Sequence, residues 1–135
     1  FLFAIGFNRV VIIAQNSSFL MHKTQAKLSF DVPERQIFGE VNIIFDALNP
    51  KDSLFVDAIR MQIDEVKVNN KKIAFQYNGK RLALATKFKK RKNVLTFTYQ
   101  AKPKQSLYFV QTDDAYQIWT QGQGKYTSHW LPSFD

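Results

Sequence analysis

An all-β fold, packed as an antiparallel sandwich or barrel-like pair of sheets, follows from three features of this 135-residue chain. From His22 onward apolar residues recur with a period of two. Turn signals such as Asn49-Pro50, Asn69-Asn70 and Asn78-Gly79 separate seven or eight short apolar runs. No stretch carries a helical period, so neither a Rossmann fold nor a helical bundle has support. A chain of this length forms one domain with a modest core.

The first segment, Phe1 to Gln15, is far more apolar than the rest of the chain. It resembles the hydrophobic part of a secretory signal peptide, with Ala14 and Gln15 near a plausible cleavage point, although a basic leading region is missing and Asn8 and Arg9 interrupt the run. On that reading the protein is exported, to a periplasmic or extracellular location that leaves membrane association open. The alternative is an extra N-terminal strand pair, Phe1–Ile5 and Val10–Ala14, around a turn at Gly6, Phe7 and Asn8. With an arginine inside, the run is too short and too polar for an integral membrane span.

Ala26, Leu28 and Phe30 alternate with Lys27, Ser29 and Asp31, predicting a strand with one dry face. The next strand, Ile37 to Leu48, places Val41, Ile43 and Phe45 on one side. Ile44 breaks the alternation, which predicts either cover on the second face or a bulge. Asn49-Pro50-Lys51-Asp52 is a turn. Leu54–Ala58 and Met61–Val68 come next, and Asn69-Asn70 leads through a tight hairpin into a strand at Ile73–Tyr77. Asn78-Gly79 predicts a type I′ turn into Leu82–Ala85. Val94–Tyr99 is the next strand, ended by Lys102-Pro103-Lys104; Leu107–Val110 and Tyr116–Thr120 flank the acidic turn Thr112-Asp113-Asp114. Phenylalanines at alternating positions, Phe30, Phe45, Phe75 and Phe97, read as core and not as a ligand platform.

Net charge is +8, from 19 Lys plus Arg against 11 Asp plus Glu. Lys87, Lys89, Lys90, Arg91 and Lys92 form a block that fits a solvated hairpin turn; an acidic membrane or partner surface is a second reading. A nucleic-acid partner is not expected, because that would want the charge on one face among stacking platforms or on a recognition helix, whereas the block most easily occupies a turn. Without cysteine there are no disulfides, thiol nucleophiles or cysteine zinc sites.

The last fifteen residues are dense in recognition chemistry and predict a chain cut where its functional region begins. Gln121 and Gln123 alternate with Gly122 and Gly124. A glutamine amide both donates and accepts, so it can hold an ammonium or peptide group, and flanking glycines allow close backbone approach. A flexible turn is the plainer reading of that tetrapeptide. His129 has no partner at metal-ligand spacing, and Ser128 beside it lies in no nucleophile elbow, so no catalytic or metal residue is assigned.

The chain resembles the N-terminal domain of gluzincin metallopeptidases of the aminopeptidase N and leukotriene-hydrolase type, as found in exported bacterial enzymes, over roughly residues 22 to 135. The resemblance rests on ordered segments: Phe38-Gly39-Glu40-Val41-Asn42-Ile43, Leu54-Phe55-Val56-Asp57-Ala58, Ile63 through Asn69, Leu107-Tyr108-Phe109-Val110, Tyr116 through Gly124, and Trp130-Leu131-Pro132-Ser133-Phe134-Asp135. It implies a saddle-like antiparallel β domain that caps a catalytic domain lying beyond residue 135. The parent would be a zinc aminopeptidase, with zinc held by that missing domain, while this chain alone would be inactive and hold no cofactor. By resemblance Gln123 matches the residue that binds the free α-amino group of a peptide substrate, and Gln121 borders the same pocket. Serine replaces the family's usual cysteine at Ser133. The arginine expected between the glutamines and the proline segment is missing, with Lys125 and His129 as candidate substitutes.

The resemblance implies two partners, the chain's own catalytic domain and a peptide. Without that domain, Trp119, Trp130, Leu131 and Phe134 are expected to lose their cover and leave an apolar tail open to self-association. The competing reading is a free-standing β-sandwich interaction or adhesion module, whose tail would fold onto its own domain.

Overall fold

The computed structural model describes residues 2–8, 18–121 and 126–134. The described chain is all-β, and every strand pairing in it is antiparallel. The strands are β1 (Leu2–Asn8), β2 (Phe19–Asp31), β3 (Gln36–Ala47), β4 (Leu54–Asp57), β5 (Met61–Val68), β6 (Lys71–Lys72), β7 (Gln76–Tyr77), β8 (Arg81–Leu84), β9 (Asn93–Ala101), β10 (Leu107–Gln111) and β11 (Tyr116–Thr120). They form a six-stranded sheet in the order β1-β2-β3-β9-β5-β6, a three-stranded sheet β4-β8-β7, and the hairpin β10-β11.

Alternation decides which side of the large sheet is dry. Along β3 the buried positions are Ile37, Gly39, Val41, Ile43, Phe45 and Ala47, and their neighbours on β9 include Leu95, Phe97 and Tyr99. Leu54, Val56, Leu82 and Leu84 of the small sheet are fully buried in the same core. Phe45 and Phe97 lie in it as expected, with Phe30 and Phe75 packed against it. Ile44 sits on the partly exposed face, and the irregularity it signals is a bulge in the facing strand: Met21 pairs with Phe45 but Lys23 with Ile44, so His22 is the extra residue.

Four sequence expectations need revision. β1 runs straight through Gly6, Phe7 and Asn8, pairing Leu2 with Ser29 and Asn8 with Lys23, so no turn lies there; Val10–Ala14 falls outside the described residues. The type I′ geometry belongs to Asn69 and Asn70, at φ 51° and 66° between the paired Val68 and Lys71. At Asn78-Gly79 only Gly79 has positive φ (84°), while the Asn78 side chain accepts the amides of Lys80 and Arg81 at 2.9 and 2.8 Å. Ile73–Tyr77 is not one strand: Lys71–Lys72 ends the large sheet and Gln76–Tyr77 starts the small one, so the chain crosses the core edge between them.

The basic block is likewise a crossing between β8 and β9, which belong to different sheets, and not a hairpin turn. An apolar anchor explains its order. Phe88 is buried among Phe19 and Phe45 in edge-to-face contacts, with ring centroids 5.3 and 5.6 Å away. The fully buried Asn93 then ties the loop down, accepting the Lys89 amide at 2.9 Å and donating to the Lys89 carbonyl at 2.7 Å.

Candidate functional site

β9 delivers the chain to residues 102–106, where Ser106 is buried with φ 70°. The β10-β11 hairpin starts there and divides its side chains by alternation. Phe109 and Ile118, directly paired, pack toward the core, and Phe109 meets Phe30 edge-to-face at 6.1 Å. On the opposite face Tyr108 stacks on Trp119 at 4.5 Å, and Trp119 stays 45% exposed. At the end of β11 the Gln121 amide donates to the Ser106 carbonyl at 2.9 Å, which fixes the backbone while the residue remains exposed.

A cleft of about 260 Å³ opens here, lined by Gln105, Ser106, Tyr108, Gln121 and Tyr126. Its chemistry is that of amides, hydroxyls and aromatic rings, with no carboxylate among the described lining residues. Such a set can hydrogen-bond an ammonium or a peptide group, and the ring faces attract cations. Gln123 and Lys125 lie outside the described residues, so the structure places only Gln121 of the two predicted glutamines.

After the cleft a short 3₁₀ turn, Thr127–His129, brings the tail back onto the domain. Ile59 donates its amide to the Ser128 carbonyl at 2.8 Å, and Ser133 pairs with Asp57 through two main-chain bonds of 2.8 and 2.9 Å. The Tyr99 hydroxyl donates to the Trp130 carbonyl at 2.7 Å. Trp130, Leu131 and Phe134 are therefore buried, at 5%, 2% and 9% exposure, which corrects the expectation of an uncovered apolar tail. Their cover comes from the domain's own core, and the absence of a side chain at Gly39 leaves room for the Tyr99 ring whose hydroxyl reaches Trp130. Of the four residues expected to be bare, only Trp119 is.

The Gln105 side-chain amide and His129 Nε2 are hydrogen-bonded at 2.8 Å. The His129 Nε2 therefore already has an amide partner. Among the described residues no group of three or more His, Asp or Glu side chains is arranged to hold a metal. The contribution of Gln105, Tyr108 and Tyr126 to the cleft was not anticipated. Sequence offered little to find them, since they converge only when Ser106 pairs with Gln121.

The comparisons agree with this architecture. The Peptidase M1 N-terminal domain family matches residues 21–135. The chain belongs to that family. Native leukotriene A4 hydrolase from Saccharomyces cerevisiae superposes on this M1 N-terminal domain with a TM-score of 0.71 at 22% identity, over 80% of this chain and 20% of that one. An M1 zinc metallopeptidase from Deinococcus radiodurans gives 0.62 at 14% identity, over 74% and 25%. Aminopeptidase A from Legionella pneumophila, in complex with aspartic acid, gives 0.58 at 10% identity, over 73% and 12%. At such identities the likeness is one of fold, and the chain spans about a fifth of the length of the yeast structure. No curated protein matches the chain in sequence.

Proposed function

We propose that this M1 N-terminal domain serves as the non-catalytic part of an exported zinc aminopeptidase, where it caps a catalytic domain and helps bind the free α-amino group of peptide substrates. The observation that carries the reading is the position of Gln121, fixed by its main-chain bond to Ser106 on the rim of a cleft of amides and aromatic rings, two residues before Gln123. A neutral glutamine accepts from an ammonium with less Coulomb attraction than a carboxylate provides, so affinity would rest on geometry and on several acceptors together. The exposed Trp119, stacked on the half-buried Tyr108 beside the cleft, supplies apolar surface for a covering domain.

Zinc, the general base and the scissile-bond chemistry would belong to that second domain. The competing reading, a free-standing interaction module, is favoured by one observation, the tail folded onto its own core. The coding DNA downstream of Asp135 separates the two. A reading frame that continues into H-E-x-x-H and a more distant glutamate, with one zinc per full-length protein, is the expected result. An early stop or an unrelated continuation would leave the interaction module.

A further inference from the structure

The cleft lies at one end of the large sheet, and the densest run of exposed cations, within residues 87–92, lies at the other. β9 separates them, rising from Asn93 to Ala101 over eight steps, or roughly 27 Å. At the Asn93 end three connections meet. Ala47 donates its amide to the Lys90 carbonyl at 3.1 Å, Phe88 to Pro50 at 3.3 Å, and Asn69 to Val94 at 2.9 Å. The five cations of residues 87–92 are all exposed here, together with Lys51 and Lys71.

The acids at this end are already engaged. Asp46 holds His22 at 2.9 Å and the Lys92 amide at 2.8 Å, Asp52 accepts from Asn49 at 2.9 Å, and Glu65 takes Lys67 and Lys72. None of the seven exposed cations forms an ion pair among the described residues. Beside them stand two exposed leucines, Leu48 at 65% and Leu20 at 39%. Leu20 pairs with Asp46, and the Leu48 amide donates to the Ser18 carbonyl at 2.7 Å.

We infer that this end is a docking surface for an anionic lipid bilayer, with the basic side chains at the headgroups and Leu48 and Leu20 entering the acyl boundary. Lysines outnumber arginine six to one among the seven cations, which suits diffuse attraction to a charged surface more than bidentate recognition. None of the exposed aromatics among the described residues, Phe38, Phe55, Tyr116, Trp119 and Tyr126, lies within residues 87–92, so these cations are not interleaved with the stacking platforms that single-stranded nucleic acid uses. Phe88 and Asn93 hold the loop in place beforehand, so little ordering is required on binding. A bilayer at this end leaves the cleft clear.

Flotation of the chain with phosphatidylcholine vesicles, with and without phosphatidylglycerol, tests the inference. Wild type is expected to bind only the anionic vesicles and to release as salt rises. At about fivefold per charge, the combined Lys89→Gln, Lys90→Gln, Arg91→Gln variant loses about a hundredfold in affinity. Lys51→Gln with Lys71→Gln, on two other connections, loses about twenty-five-fold and keeps the test open if the first variant is unstable. Leu48→Ser weakens binding at every salt concentration. Equal flotation of wild type and both charge variants, equal binding to neutral vesicles, or no binding at all would overturn the inference. Tighter binding to a single-stranded oligonucleotide than to anionic vesicles would overturn it in favour of nucleic acid.

Discussion

Tyr99 reaches from the middle of the large sheet to the C-terminal tail, its hydroxyl donating to the buried main-chain carbonyl of Trp130 at 2.7 Å. Burial pushes the Tyr99 phenol well above its usual pKa, so the proton that makes this bond is retained at any ordinary pH. Tyr99→Phe keeps the ring and leaves the carbonyl unsatisfied, a cost of about 1–3 kcal/mol. The loss should concentrate in the tail: hydrogen exchange of the Ile59 and Ser133 amides is expected to accelerate more than that of β3. Uniform acceleration would contradict a role specific to the tail.

Gly39 makes the Tyr99 position possible. A Cβ there would intrude on the Tyr99 ring, its direct partner across the β3-β9 pair. Gly39→Ala is expected to destabilise by about 1–3 kcal/mol through overpacking. Combined with Tyr99→Leu the two changes should be non-additive, because the smaller side chain relieves the clash. Additive denaturant midpoints would show that the close approach is unimportant.

Asp46 confers a dependence on acid. Its carboxyl is held below the usual carboxylate range, first by the Lys92 amide and next by the His22 ring. A depressed folded pKa stabilises the fold fully above the unfolded value, about 4, and that contribution is lost as pH falls through the folded value. Asp46→Asn should therefore be less stable than wild type at neutral pH, with the two unfolding curves converging below pH 4. Curves that stay parallel through that range would count against the linkage.

Asn93 is a buried amide that orders the basic crossing, bonded to Lys89 and at 3.1 Å to Asn69. Asn93→Leu strands those main-chain groups, and about 2 kcal/mol of stability should be lost. Proteolysis between Lys87 and Lys92 is the readout, and unchanged resistance would assign the loop's order to Phe88 alone.

What the sequence disclosed was mostly local. The boundaries of Met61–Val68 and the β10-β11 hairpin were legible because alternation and turn residues coincide there. Which sheet each strand joins was not. Ile73–Tyr77 and the block at 87–92 look like hairpin parts, yet both carry the chain between sheets, a choice made by long-range burial of Phe88 and the Leu54, Val56, Leu82 and Leu84 layer. The tail's apolar residues gave no sign of whether their cover would come from this domain or another; bonds to Asp57, Ile59 and Tyr99, all distant in sequence, hold the tail on this domain. Gln121 was identified by resemblance, while the residues around it are joined by a single backbone bond with no periodic signature.

The most direct test of the proposed role is substrate affinity in the full-length protein, comparing wild type with Gln121→Ala and Gln123→Ala on an aminoacyl anilide with a free α-amino group. Loss of a hydrogen bond to a charged ammonium should raise KM for Gln123→Ala roughly ten- to hundredfold, with a smaller rise for Gln121→Ala and an unchanged zinc content. Both variants matching wild type in KM and kcat would contradict a role for this domain in holding the substrate's amino group.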